Sequence, residues 1–454
     1  LSSILAPAPL KPAGAAPTSP RARARRPTKA DDLAGWLAFA EALHAQTIDM
    51  GLERVSAVRD ALRLVPDFPI VTVAGTNGKG STCALLAATL QAAGHRVGLY
   101  TSPHLVRYNE RIRVDGQPVG DAALAAAYAR VDAARGDTPL TPFEFGTLAA
   151  MCVFVEAGLD AAILEVGLGG RLDAVNAFDA DCVIITSIGI DHVEYLGDTL
   201  EAIGREKAGV LRAGRPAICA QAEAPASIDR EAARIGARLL RKGRDYAVRR
   251  DGSTWTLSRR GKPDVEGLPL PSLAGDFQLD NAAAALMALD MLAAKLPLDP
   301  VHRHRGLTQA RLAARFQRLR LSETGPEVVL DIAHNPHAAQ RLAANLDQHR
   351  VEGRTLAVFA MLRDKDIAGT ARALEGRIDA WYVAGIAERR GSKPGEMAAA
   401  MDAAQVRAPV HVRTTPVEAF SEALLAASPN DRILVFGSFS TVGAVMQALD
   451  LRAP

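Results

Sequence analysis

Residues 71–82 read V-T-V-A-G-T-N-G-K-G-S-T, and no other stretch constrains the fold as strongly. A short β-branched run feeds a glycine-rich turn with one lysine, and small and apolar residues follow at helical spacing over 83–93. A strand, a turn and a helix in this order make a phosphate cradle. Glycines let backbone N–H groups approach the anion, the helix N-terminus adds partial positive charge, and Lys79 adds a full one. The string is not the standard Walker A, because Gly80 separates Lys79 from Ser81.

The chain has 454 residues, more than one core accommodates, so two or three domains are expected. Its net charge of +2 hides an asymmetry. Residues 1–30 carry Lys11, Arg21, Arg23, Arg25, Arg26 and Lys29 and no acid, which leaves the remainder net acidic. The body is therefore no polyanion binder by bulk charge, and no nucleic-acid partner is expected. Residues 1–30, rich in Ala, Pro and Arg, are expected to be a disordered tail, and an upstream extension suits them better than an amphipathic transit peptide. No apolar run approaches the roughly 20 residues that span a bilayer, so no membrane association is expected. Cys83, Cys152, Cys182 and Cys219 form no C-x-x-C pair, and buried thiols in a reducing cytoplasm are expected.

Along the chain, residues 97–100, 161–166 and 183–187 have the texture of buried strands. Stretches 121–134, 143–157 and 200–208 are helical. The alternation predicts an α/β fold with a mainly parallel sheet covered on both faces. Residues 243–267 suggest a few antiparallel strands, and an Ala-rich helix over 281–294 follows. A second α/β alternation, with strands at 328–332, 355–360, 380–384 and 433–436, predicts a smaller Rossmann-like domain. The expected division is a tail of 1–30, a P-loop-type domain of 31–305 and a C-terminal domain of 306–454.

Each candidate polar cluster follows a strand of the first sheet, where ligands bind in such folds. Ser102 and His104 end one strand, Glu165 ends another, and Asp191-His192 ends a third. A hydroxyl, a carboxylate and an imidazole beside a phosphate turn suit Mg²⁺, which takes few protein ligands and keeps waters. Alone, each would more often be a cap or a surface residue.

Several motifs in fixed order carry a resemblance: 75–81 in the turn, Thr101-Ser102-Pro103-His104-Leu105, Glu110-Arg111-Ile112, 165–173, Asp191-His192, Glu206-Lys207-Ala208-Gly209 and Asp331-Ile332-Ala333-His334-Asn335-Pro336. Together they resemble the folylpolyglutamate synthase family, especially its bifunctional dihydrofolate synthase members, which are relatives of the Mur ligases. The likeness spans about residues 35–450.

The resemblance implies roles. Asn77, Gly78, Lys79, Gly80 and Ser81 hold ATP phosphates, with Asn281, Arg315 and Asp331 as further ATP contacts. Ser102, Glu165 and His192 ligate magnesium, and a carbamylated Lys207 serves a second ion; a plain lysine at a helix C-terminus is the alternative. Thr141, Pro142, Phe143, Glu144, Leu172, Asp173 and Ala174 contact the pterin substrate, although Thr141 and Glu144 also read as a capping box. His334 and Ser438 belong to the glutamate site, and Lys79, Lys207 and His334 are the catalytic set. One departure stands out: the family's Pro-Gly before Arg-Phe is Ala313-Ala314 here, so the turn that carries Arg315 is expected to differ.

The implied reaction is ATP-dependent amide ligation, with a carboxylate of dihydropteroate or a reduced folate activated as an acyl phosphate and joined to L-glutamate. The expected protein is a cytoplasmic monomer using ATP and Mg²⁺. A Mur ligase acting on a uridine nucleotide needs an N-terminal domain, and only 31–69 precede the phosphate strand. A mechanical P-loop NTPase has no use for the 331–336 motif, and a non-catalytic binding module has no need of both the phosphate lysine and the metal residues.

Overall fold

The computed structural model describes residues 26–27, 32–44, 46 and 48–451. The expected disorder of 1–30 lies outside these, except at Arg26 and Pro27; Arg26 Nε meets Asp132 Oδ2 at 2.7 Å.

The first sheet contains β1 (Ile70–Ala74), β2 (Val97–Tyr100), β3 (Ile112–Val114), β4 (Gln117–Pro118), β5 (Ala161–Glu165), β6 (Cys182–Ile185), β7 (Pro216–Cys219) and β8 (Arg238–Arg241). Their order is β4-β3-β2-β5-β1-β6-β7-β8. All neighbours are parallel except the β2–β3 and β3–β4 pairs. β1, with Thr72 its one polar residue, is buried along its whole length, as a strand covered on both faces must be. The chain leaves β1 toward β2 on one side, while β6 lies on the other, so the end of β1 is a switch point where a crevice opens. Strands β3, β4, β7 and β8 are too short or too mixed in character to have been read from periodicity.

A three-stranded antiparallel sheet follows, β9 (Tyr246–Asp251), β10 (Thr254–Arg259) and β11 (Lys262–Pro269), in the stretch whose alternation suggested it. The Ala-rich helix is Phe277–Met291, so it starts earlier than the sequence pattern placed it. It packs on the Lys79–Ala92 helix within one apolar cluster that includes Leu85, Leu86, Ala283 and Leu286.

The last sheet contains β12 (Gln317–Arg320), β13 (Glu327–Leu330), β14 (Thr355–Phe359), β15 (Ala380–Ala384), β16 (Val410–Arg413) and β17 (Arg432–Phe436), in the order β12-β13-β17-β14-β15-β16. Only β12 is antiparallel to its neighbour. Separate apolar clusters form on its two faces, one around Phe359, Trp381 and Phe436, the other around Ile433, Val435 and Met446. The carboxyl ends of β13, β14 and β17 face the phosphate turn across a cleft whose walls come from both large sheets.

Candidate active site

A cavity of about 860 Å³ fills that cleft. Every site residue expected from the sequence lines it except Asn281.

At its floor is the phosphate turn. Gly75 and Gly78 have φ of 149° and 92°, and a Cβ on Gly78 would lie 2.6 Å from Asn281 Oδ1. Only glycine suits that position, because the backbone is left-handed and the space is taken. Asn281 therefore sits behind the turn. Its Nδ2 donates to Gln278 Oε1 at 2.8 Å, and Gln278 Nε2 donates to Ser81 Oγ at 3.3 Å. The turn is also tied to β6, since Thr186 Oγ1 and Ser187 Oγ both donate to Asn77 O. Lys79 Nζ donates to Gly75 O and Thr76 O at 3.0 and 3.3 Å, which holds its charge over the turn.

Ser102 and Glu165 meet next to this lysine, Ser102 N donating to Glu165 Oε2 at 3.2 Å. Glu165 is buried and has no ion pair within 4.0 Å among the described residues. Burial raises its pKa, and the charge of Lys79 opposes this only in part. A buried carboxylate of this kind fits a cation. No three His, Cys, Asp or Glu side chains converge among the described residues, and a sparse oxygen set suits Mg²⁺ completed by phosphate and water. His192 lines the same cavity, with Lys365 Nζ 3.2 Å from its Nε2 and 2.5 Å from Asp191 Oδ1. Burial, reinforced by Lys365, lowers the His192 pKa to about 4, so the ring is neutral and able to ligate. Burial alone would raise Asp191, but His334 and Lys365 outweigh it and hold the carboxyl well below its usual range. Lys207 is no surface lysine: it is 4% exposed, and burial followed by the charge of Lys79 lowers its pKa to about 7.

The opposite wall carries Thr141, Pro142, Phe143 and Glu144 at the start of the Pro142–Ala157 helix, together with Leu172, Asp173 and Ala174. The capping box is real: Thr141 Oγ1 accepts from Glu144 N at 3.2 Å, and Glu144 Oε2 accepts from Thr141 N at 2.7 Å. Asp173 accepts from Leu168 N and Val175 N, yet burial still raises its pKa to about 6.

From the last sheet come Asp331, whose carboxylate accepts from Phe316 N and Ala333 N, and Arg315, 5.7 Å over the Phe439 ring. His334 Nδ1 lies 2.8 Å from Ile332 O; a carbonyl only accepts, so Nδ1 carries a proton. Ser438 caps the Phe439–Ala448 helix, its Oγ accepting from Thr441 N at 3.0 Å, so a hydroxyl and a helix N-terminus face the cavity together.

Residues 73–289 match the Mur ligase middle domain model and residues 314–439 the Mur ligase, glutamate ligase domain model. The dihydrofolate synthase/folylpolyglutamate synthase of Escherichia coli K12 is 44% identical over 429 residues, covering 94% of this chain and 98% of that protein. The chain belongs to the dihydrofolate synthase/folylpolyglutamate synthase family. The structure of E. coli FolC in complex with DHPP and ADP superposes with a TM-score of 0.86 at 44% identity, over 92% of this chain and 97% of that one. A bifunctional folylpolyglutamate synthase/dihydrofolate synthase with Mn, AMPPNP and L-glutamate bound also gives 0.86, at 45% identity over 94% and 100% of the two chains.

Where this chain departs from the family pattern, the residue before Arg315 is left-handed without being glycine. Ala314 has φ 54° and is fully buried, and Phe316 has φ 49°. Sequence reasoning did not single out Ile48, Asp49, Met50, Phe277, Arg341 or Lys365, all of which line the cavity. Nothing local marks them, since the 48–50 segment has no periodicity and Lys365 stands in an ordinary charged run before a helix cap.

Proposed function

We propose that the protein joins L-glutamate to dihydropteroate, and to reduced folates already carrying glutamate, at the expense of ATP. The observation that carries this reading is one cavity lined at once by the phosphate turn with Lys79, by Glu165 beside Ser102, by the Thr141–Glu144 wall, and by His334 and Ser438 from the last sheet.

A carboxylate does not acylate an amine in water because its leaving group is poor. A carboxylate oxygen of the acceptor attacks the γ-phosphorus of ATP, and ADP departs. The glutamate amine, having lost a proton, then attacks the acyl carbon, and the tetrahedral adduct expels phosphate. Lys79 offsets charge on the transferred phosphoryl group, and the turn's amides orient it. Ser102, Glu165 and His192 are the residues that would hold Mg²⁺, which supplies further charge neutralisation when bound. The helix N-terminus capped by Ser438, together with His334, suits a carboxylate of the incoming glutamate. Asp331 and Arg315 approach from the last sheet toward the nucleotide. Asn281 acts on the nucleotide through Gly78 and Ser81, as its place behind the turn suggests. Lys207, buried and readily neutral, is suited to capture CO₂ as a carbamate; intact-mass measurement under native conditions tests for the adduct. The proposed functional division remains 31–305 for ATP and pterin and 306–454 for glutamate.

We also assign the protein to the cytoplasm, because its four cysteines are free and buried, the state that a reducing compartment preserves. Among the described residues no helix is long and apolar enough to cross a membrane.

Phosphate release dependent on L-glutamate, measured separately with dihydropteroate and with tetrahydrofolate, tests the reading. Both should support turnover, and Lys79→Ala should abolish both in a folded protein. Turnover in that variant, or ATP hydrolysis indifferent to glutamate, overturns it.

A further inference from the structure

We propose that Arg54 is a positioning residue that fixes the acceptor wall of the cavity, locking the 48–51 loop to the start of the Pro142–Ala157 helix. The inference rests on reading that wall as the pterin side.

Arg54 stands in the first turn of the Glu53–Ala61 helix, and its guanidinium uses both edges. On one side Nη1 donates to Asp49 Oδ2 at 2.8 Å and Nη2 donates to Asp49 O at 2.7 Å. On the other, Nε donates to Glu144 Oε1 and Oε2 at 3.2 and 3.3 Å, and Nη2 lies 3.1 Å from Oε1. Asp49 and Glu144 line the cavity, whereas Arg54 does not. It therefore acts on a ligand only through these two carboxylates.

Each side of the clamp needs it for a different reason. The 48–51 loop belongs to no helix or strand, and among the described residues no backbone–backbone hydrogen bond involves it. Among the described residues its polar anchors are Arg54 and the contact of His44 Nε2 with Asp49 Oδ2 at 3.3 Å. Glu144 is 3% exposed, and Arg54 is its sole ion-pair partner among the described residues. Without Arg54 a buried carboxylate stands uncompensated while it is also holding Thr141 N. The cap then loosens, and Thr141, Pro142 and Phe143 move with it. A planar fork is required because two carboxylates and a carbonyl are bound from different directions; lysine, a point charge, reaches one side only.

The consequence is selective. Arg54 is remote from the phosphate turn in its contacts, so its loss should disturb acceptor binding and spare nucleotide binding. The test is steady-state kinetics of Arg54→Ala and Arg54→Lys, with melting temperatures recorded in parallel. In Arg54→Ala the KM for dihydropteroate should rise about tenfold or more, as binding shared by ground and transition states is lost. The KM for ATP, and kcat at saturating acceptor, should stay within about twofold. Arg54→Lys should fall between the two. An unchanged dihydropteroate KM, or an ATP KM that rises by the same factor, overturns the proposal. If Arg54→Ala does not fold, the ratio of the two KM changes in Arg54→Lys decides alone. A wild-type protein without glutamate-dependent turnover would instead overturn the functional reading on which the proposal rests.

Discussion

Asn77 in the phosphate turn and Asn335 ahead of a helix of the last sheet face each other, each side-chain amide donating to the other's carbonyl at 3.4 Å. These bonds are long, so they mark a seam that ligands can reorganise rather than a rigid weld. Asn335 does two other things: its Nδ2 donates to Asp191 Oδ2 at 3.2 Å, and its Oδ1 caps Ala338 N at 2.8 Å. Substitutions separate the roles. Asn335→Ala should lose the cap, costing about 1 kcal/mol, and weaken ATP binding as well. Asn335→Ser keeps a capping hydroxyl but is too short to reach Asn77, so it should melt near the wild-type temperature and still show a raised KM for ATP. Equal effects on both measurements in the two variants would refute the separation.

Glu165 is costly in the absence of a cation. Burial raises its pKa, so the charged carboxylate is the costly form in the folded state. Glu165→Gln removes that penalty. In chelator the variant should melt no lower than wild type, while turnover falls by about a hundredfold or more with both acceptors. Melting scans with and without Mg²⁺ provide the check: wild type should gain from the metal and the variant should not. A loss confined to one acceptor would show that the two reactions do not share this residue.

How much of this was legible beforehand follows from the physics of each feature. The turn at 75–81 was readable because its backbone is left-handed at Gly78, φ 92°, and that demand for glycine is local. Strands β1, β2, β5 and β6 were readable because strands inside a covered sheet are short, mostly apolar runs. Edge strand β8, with its two arginines, carries no such signal. Lys207 was ambiguous because its burial comes from packing against distant segments, which no window of sequence reports. Arg54 escaped for the same reason, since its partner Glu144 is 90 residues away.

Asp173 supplies a pH dependence. Burial raises its folded pKa from 3.8 to about 6. Between those values the folded state holds a proton that the unfolded state has released, so stability from this group is greatest below 3.8 and falls as pH rises toward 6. Above that, the carboxylate is ionised in both states and the slope vanishes. Asp173→Asn should flatten this segment of the stability profile, measured by denaturant unfolding at a series of pH values. The KM for dihydropteroate should also inflect near pH 6 in wild type and not in the variant, while the KM for ATP shows no such step. An inflection that survives the substitution belongs to another group.

Ala314 tests whether the turn before Arg315 is strained. Its φ of 54° costs an L-residue about 1–2 kcal/mol relative to glycine. Against that, Ala314→Gly forfeits a buried methyl, worth about 0.8 kcal/mol, and it frees the unfolded chain by about 0.4–1 kcal/mol. The terms nearly cancel, so this variant should match wild type within about 1 kcal/mol and keep its KM for ATP. Ala314→Val faces both penalties together. A β-branched side chain is a genuine outlier at positive φ, and the site is fully buried, where added methyls cost about 1–3 kcal/mol. It should lose more than about 2 kcal/mol in denaturant unfolding and weaken ATP binding, because Arg315 and Phe316 are carried by the same turn. A stable Ala314→Val variant with an unaltered KM for ATP would show that the turn relaxes freely, and that Arg315 does not depend on the left-handed residue before it.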